Sequence, residues 1–188
     1  LKAAGSSHLK DCFMISRTFS GVALVATAAV MALPAHAGPR ADANWRALPV
    51  ANSISYVTSG TPTPMREVLI VEDPQCPGCR MLHESLKKAP NLRVRILIAP
   101  ALGQKSAEMA AQIYCSRDPV RQWKSAMETG RVTGPSCAEG RQKAIANLKW
   151  FAQYGGKGTP TAFYRNGHAS VGAGSAAWIE SVLSKPPL

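Results

Sequence analysis

The sequence predicts an α/β fold in the order β-α-β, a helical insert, then β-β-α, on three observations. Val68 to Val71 is a continuous apolar run, as expected of a strand buried on both faces of a sheet. A helical pattern and an alternating strand follow it, closing a βαβ unit that begins at Glu67. Further on, "TAFYR" and "HASVGA" flank Asn166-Gly167, a strong hairpin signal, ahead of a last helical segment.

The elements follow in order. Residues 1–13 precede the first methionine, Met14, and read as upstream sequence outside the fold. "MISRTFSGVALVATAAVMALPAHA" then reads as a cleavable Sec-type signal. Arg17 is its positive region, Gly21 to Leu33 its apolar region and Ala35-His36-Ala37 its small-x-small cleavage pattern. The apolar region is well short of the roughly 20 residues that span a bilayer. Residues 38–66, rich in Pro, Ser, Thr and Gly, predict a flexible lead-in with a short strand at Ile54 to Val57. The globular domain is expected over 67–185.

Within that domain, Pro77 suits a first helical position, where its missing N–H costs nothing. Cys79, Leu82 and Leu86 recur at helical spacing as the inward face, leaving Arg80, His83 and Lys87 on the solvated side. Leu92, Val94, Ile96 and Ile98 alternate along a second strand. The insert, about 104–155, reads as three helices. The first is Ser106 to Cys115. The second is capped by Asp118, carries Val120, Trp123 and Met127 inward, and stops at Gly130. The third opens on a Ser136/Glu139 capping box, with Ile145, Leu148 and Phe151 or Ala152 as its apolar face. Ser175 caps the last helix, which bears Trp178, Ile179, Val182 and Leu183.

The chain is basic, with a net charge of +11, but its Lys and Arg are scattered and no nucleic-acid motif accompanies them. A solvated basic surface follows, with attraction to acidic partners. Of five cysteines, Cys12 falls in the upstream segment, leaving Cys76, Cys79, Cys115 and Cys137. Four cysteines in an exported chain can pair in three ways, and an oxidising compartment lets such pairs persist. With the signal, this points to a bacterial periplasm.

Cys76-Pro77-Gly78-Cys79 stands where a strand gives way to a helix. The partial positive charge and free N–H groups of a helix N-terminus favour a thiolate at the first cysteine. Cys79, one turn deeper, would resolve what the first captures. Arg80 adds positive charge, while Glu72 and Asp73 push the other way. Two alternatives stand beside the redox reading. A zinc site needs four ligands, whereas Cys115 and Cys137 stand apart and His83 and His168 lack ligand spacing. An inert structural bridge would sit better in a core than at a helix N-terminus.

With these residues in view, the chain resembles the thioredoxin superfamily, closest to the catalytic domain of the periplasmic disulfide isomerases DsbC and DsbG. The resemblance runs from about Glu67 to Leu183. It is carried by Cys76-Pro77-Gly78-Cys79, "LHE" at Leu82 to Glu84, "YCSRDPVRQWKSAMETG" before Ser136-Cys137, and Gly158-Thr159-Pro160. It implies a thioredoxin-like fold with a helical insert between the second and third core strands. It implies Cys76 as attacking thiol, Cys79 as its partner, and Pro160 as a cis-proline facing them. Thr159 would pair with a client chain like an added strand, in a groove shared with Pro77 and Gly78. Cys115 and Cys137 would form a structural disulfide.

The implied activity is thiol-disulfide interchange with disulfide-containing exported proteins, without metal, nucleotide or flavin. A DsbD-like membrane partner would keep the protein reduced. Only residues 38–66 would precede the catalytic unit, too few for the dimerisation domain of those isomerases, so a monomer is expected. The Pro-Gly pair differs from the pairs usual in them, which implies a shifted reduction potential. The rival from another class is a non-catalytic peptide-binding holdase of the same fold, serving a conjugation or secretion apparatus.

Overall fold

The structure, a computed structural model, describes residues 39–188. The signal-like segment and Cys12 lie outside the described residues. At the centre is a five-stranded sheet in the order β1-β3-β2-β4-β5. Its strands are β1 (Ile54–Val57), β2 (Glu67–Glu72), β3 (Arg93–Ile98), β4 (Thr161–Tyr164) and β5 (Ala169–Val171). β2 and β3 are parallel, as the βαβ unit requires, and the other neighbours are antiparallel.

The helices are α1 (Pro39–Arg46), α2 (Pro77–Leu86), α3 (Gln104–Cys115), α4 (Pro119–Thr129), α5 (Ala138–Gln153) and α6 (Ala176–Leu183). Successive residues of β2 point to opposite faces. Val68 and Ile70 join a core with Cys79, Leu82 and Leu86 of α2, Trp123 of α4 and Ile179 of α6. Leu69 and Val71 meet Leu48, Leu97, Phe151 and Phe163 on the other face. Both faces are covered, which is why Val68 to Val71 is an unbroken apolar run.

Three expectations need correction. Residues 39–57 are built into the fold rather than leading loosely into it. Ala41 and Leu48 are buried, and β1 pairs with β3 from Ile54↔Ile96 to Val57↔Arg93. The domain therefore starts near Pro39, because the second face of the sheet needs the cover that Trp45, Leu48 and Val50 supply. His83 is buried, at 2% exposure, rather than solvated. α4 packs against that flank of α2 and sets Glu128 Oε1 3.7 Å from its Nε2.

The third correction concerns α5, which is capped by Cys137 and not by Ser136: the Gly140 N–H donates to Cys137 Sγ at 3.4 Å. Its buried face is Gly140, Ala144, Asn147 and Phe151, while Ile145 is exposed. Small residues on that face let α3 come close. A Cβ on Gly140 would stand 2.4 Å from Cys115 Sγ and 2.6 Å from the Ala111 carbonyl. The Asp118 and Ser175 caps form as the sequence suggests, accepting from Arg121 N and Trp178 N.

Both described ends of the chain lie beside the β4–β5 turn. The Ala41 N–H donates to the Leu188 carbonyl and the Leu188 N–H to the Asn166 carbonyl. Asn166 Nδ2 holds the end of α6 through the Val182 carbonyl. This turn adjoins the start of β2, since the Arg165 N–H donates to the Glu67 carbonyl.

Candidate active site

β2 runs toward the Cys76 loop, and antiparallel β4 begins beside its far end, with Val71 opposite Thr161. That geometry brings Thr159-Pro160 against the Cys76 loop. Cys76 is the N-cap of α2, with φ −70° and ψ 121°, and Pro77 is the first helical residue. The Cys76 thiol donates to the Thr159 carbonyl at 3.2 Å. The Thr159–Pro160 peptide bond is cis. A Cβ on Gly78 would lie 3.2 Å from Pro160 Cδ and 3.7 Å from Cys76 Sγ, so glycine leaves room between the two. The Gly172 N–H donates to the Pro160 carbonyl at 2.8 Å and ties the chain after β5 to the same end.

Both Cys76 and Cys79 are free thiols. Cys76 keeps 8% of its surface exposed and Cys79 none. Burial, and next the charge of Glu72, push the Cys79 thiol far above the ordinary thiol range, while a backbone hydrogen bond from Asp73 pulls the other way. Cys76 and Cys79 stand one helical turn apart in the same buried cluster.

Glu72 is the residue that sequence reasoning undervalued. At 1% exposure, neither carboxylate oxygen has a hydrogen-bond partner among the described residues. Burial, and after it the negative charge of Cys76, hold its carboxyl well above the usual carboxylate range. The signal was available: Glu72 keeps the alternation of Val68 and Ile70, so an acid there points into the core that contains Cys79.

Arg80, expected to add charge beside Cys76, turns elsewhere. An added Cβ on Gly130 would stand 2.8 Å from its Nη2, which places the guanidinium at the carboxyl end of α4. A cation there complements the helix dipole. His83 lines a separate cavity of about 370 Å³ with Tyr56, Lys87, Lys124 and Glu128. Burial, and then Lys87, hold its imidazole below the usual histidine range.

The structure thus brings Cys76, Pro77, Gly78, Cys79, Thr159 and Pro160 together at one end of the sheet. Cys115 and Cys137 sit apart in the insert, joined as a disulfide that pins α3 to the start of α5.

A C-x-x-C pair opening a helix, faced by an X–cis-Pro turn on a central sheet, defines a thioredoxin-like protein. The chain belongs to the thioredoxin-like domain family, whose model matches residues 61–185. Among curated proteins it is similar to the probable thiol:disulfide interchange protein DsbC of Bordetella pertussis, 32% identical over 108 residues. That match takes in 57% of this chain and 38% of the relative, so the chain aligns with well under half of it. The corresponding protein of Bordetella avium is 24% identical over 118 residues, 63% of this chain and 42% of that one.

Solved structures agree on the fold. A disulfide interchange protein from Neisseria gonorrhoeae superposes with a TM-score of 0.64 at 23% identity, over 72% of this chain and 96% of that one. Proteus mirabilis ScsC gives 0.62 at 17% identity, over 79% of each chain.

Proposed function

We propose that this protein is a thiol-disulfide oxidoreductase of exported proteins, acting in the periplasm through Cys76 and Cys79. One observation carries the reading: two free thiols one turn apart at the start of α2, the outer one against Thr159-Pro160 and the inner one fully buried. The signal-like segment before residue 38 supports export, as does a disulfide held between Cys115 and Cys137.

In the reducing direction, the Cys76 thiolate attacks a client disulfide. A Cys76–client bond forms and the other client sulfur leaves as a thiolate. Cys79 then attacks Cys76 Sγ, passing its proton to Glu72. The Cys76–Cys79 bond forms, and the second client sulfur departs and is protonated by water. The client gains two electrons and the protein carries the oxidation. Run backwards, the same steps oxidise a client dithiol.

Glu72 suits the proton transfer because its carboxyl, raised first by burial, is raised further by the charge of Cys76. While Cys76 is a thiolate, that charge helps keep Glu72 protonated. In the mixed disulfide the charge is gone, so Glu72 releases its proton to water more readily and can then take that of Cys79. Thr159, Pro160, Pro77 and Gly78 line the groove that takes the client backbone. A DsbD-like membrane protein would return the Cys76–Cys79 disulfide to the dithiol, and the working unit is a monomer.

Insulin reduction by residues 38–188 tests the reading. Activity in the wild type, lost in Cys76→Ala, supports it, and Cys79→Ala should trap a covalent client adduct. Binding of unfolded clients by a wild type without thiol turnover would favour the holdase instead. Recovery of activity from scrambled ribonuclease, beside the mass in solution, separates isomerase from reductase.

A further inference from the structure

We propose that Asp73 is the positioning residue of this centre, holding Cys76 and Cys79 in register and fastening them to the helical insert through Leu102 and Ser106. The proposal rests on reading Cys76 and Cys79 as the redox pair.

Asp73 touches the redox loop through its main chain. Its carbonyl accepts the Cys76 N–H at 3.1 Å, and Cys76 caps the helix that carries Cys79. Its side chain faces the other way, with no exposure at all. Oδ1 accepts from Gln75 N at 2.7 Å and from Ser106 Oγ at 2.8 Å. Oδ2 accepts from Leu102 N at 2.9 Å. One residue therefore joins the redox loop, the connection after β3 and the first turn of α3.

The chemistry argues that this is more than a turn. No Lys or Arg pairs with Asp73 among the described ion pairs, so neutral donors alone compensate a buried carboxylate. An ordinary turn between a strand and a helix would accept Asn or Ser without burying charge. The carboxylate also serves α3. Gly103, the N-cap of that twelve-residue helix, offers no side-chain cap, and Ser106 in the first turn reaches Asp73 instead. The amino end of α3, favourable to negative charge, therefore takes its anion from the redox loop.

Exchange between Cys76 and Cys79 needs the inner sulfur in line with the bond it breaks. A misplacement of about 1 Å costs on the order of 100-fold in rate. Asp73→Asn keeps the size but turns an amide N–H₂ toward a backbone N–H, that of Leu102 or of Gln75, from which the carboxylate now accepts.

The test uses residues 38–188. The Cys76–glutathione mixed disulfide is prepared and its resolution by Cys79 followed by acid quench and mass, beside the equilibrium of Cys76–Cys79 with glutathione. Asp73→Asn should slow resolution at least about tenfold and shift the equilibrium, as expected where hydrogen bonds to a buried charge are lost. Ser106→Ala should give a smaller change in the same direction, and Ser106→Thr should restore wild-type values. The Ser106 pair carries the test if Asp73→Asn does not fold. Folded variants with wild-type resolution and equilibrium, even with a lower Tm, overturn the role of Asp73 alone. A wild type that exchanges no disulfide with glutathione overturns the redox reading and this proposal with it.

Discussion

Glu72 offers the sharpest test, because replacing it should make the protein more stable and less active at once. Methionine at position 72 keeps nearly the same volume and deletes two oxygens that have no partner in the core. Relief of a buried, unsatisfied polar group contributes about 1–3 kcal/mol. For a chain of this size each kcal/mol raises Tm by roughly 2–4 °C.

The gain should depend on pH. Burial raises the folded-state carboxyl above its value of 4.5 in the free chain. Between the two titrations the native state binds a proton that the unfolded state has released, so wild-type stability falls as pH rises through that window. Glu72→Met has no such slope, and its advantage should grow from about pH 4.5 upward. Resolution of the Cys76 mixed disulfide should meanwhile slow by about 10²–10⁴-fold, the usual range for loss of a positioned proton acceptor. Calorimetry from pH 5 to pH 8 and single-turnover quench experiments read the two effects. A lower Tm at pH 7, or an unchanged resolution rate, would refute the account of Glu72.

Three further outcomes follow from the geometry. Replacing both Cys115 and Cys137 by alanine opens a loop of sequence separation 22 and should cost about 3 kcal/mol in urea unfolding. Gly140→Ala should lower stability by about 1–3 kcal/mol despite a helix-propensity gain of about 1 kcal/mol, because the Ala111 carbonyl cannot move aside. Gly78→Ala should reduce insulin turnover several-fold, since its Cβ crowds the gap between Pro160 and Cys76. Its Tm should stay within roughly 3 °C of wild type, which separates that effect from unfolding.

What the sequence made legible was local. The apolar run of β2, the alternation of β3, the Asn166-Gly167 turn and the Asp118 and Ser175 caps all announce themselves within a few residues. The features that escaped depend on partners far along the chain. Leu48 is one apolar residue in a Pro- and Ser-rich stretch, and only the finished sheet gives it a surface to cover. His83 sits where a helical wheel points to solvent until α4 arrives. Asp73 takes two of its side-chain donors from 29 and 33 residues downstream. Ser136 loses its capping place to Cys137, whose sulfur is held at the start of α5 by its bond to Cys115.

Leu188 and Ala41 share a backbone hydrogen bond at the pole where β2 starts, and the thiols lie past its other end, about 20 Å of strand away. A handle joined to residues 38–188 at either described end therefore leaves from the pole opposite the thiols. A resin carrying those residues by the end at 38 and one carrying them by the end at 188 should reduce soluble insulin equally fast, which makes either format fit for fishing trapped partners from an extract.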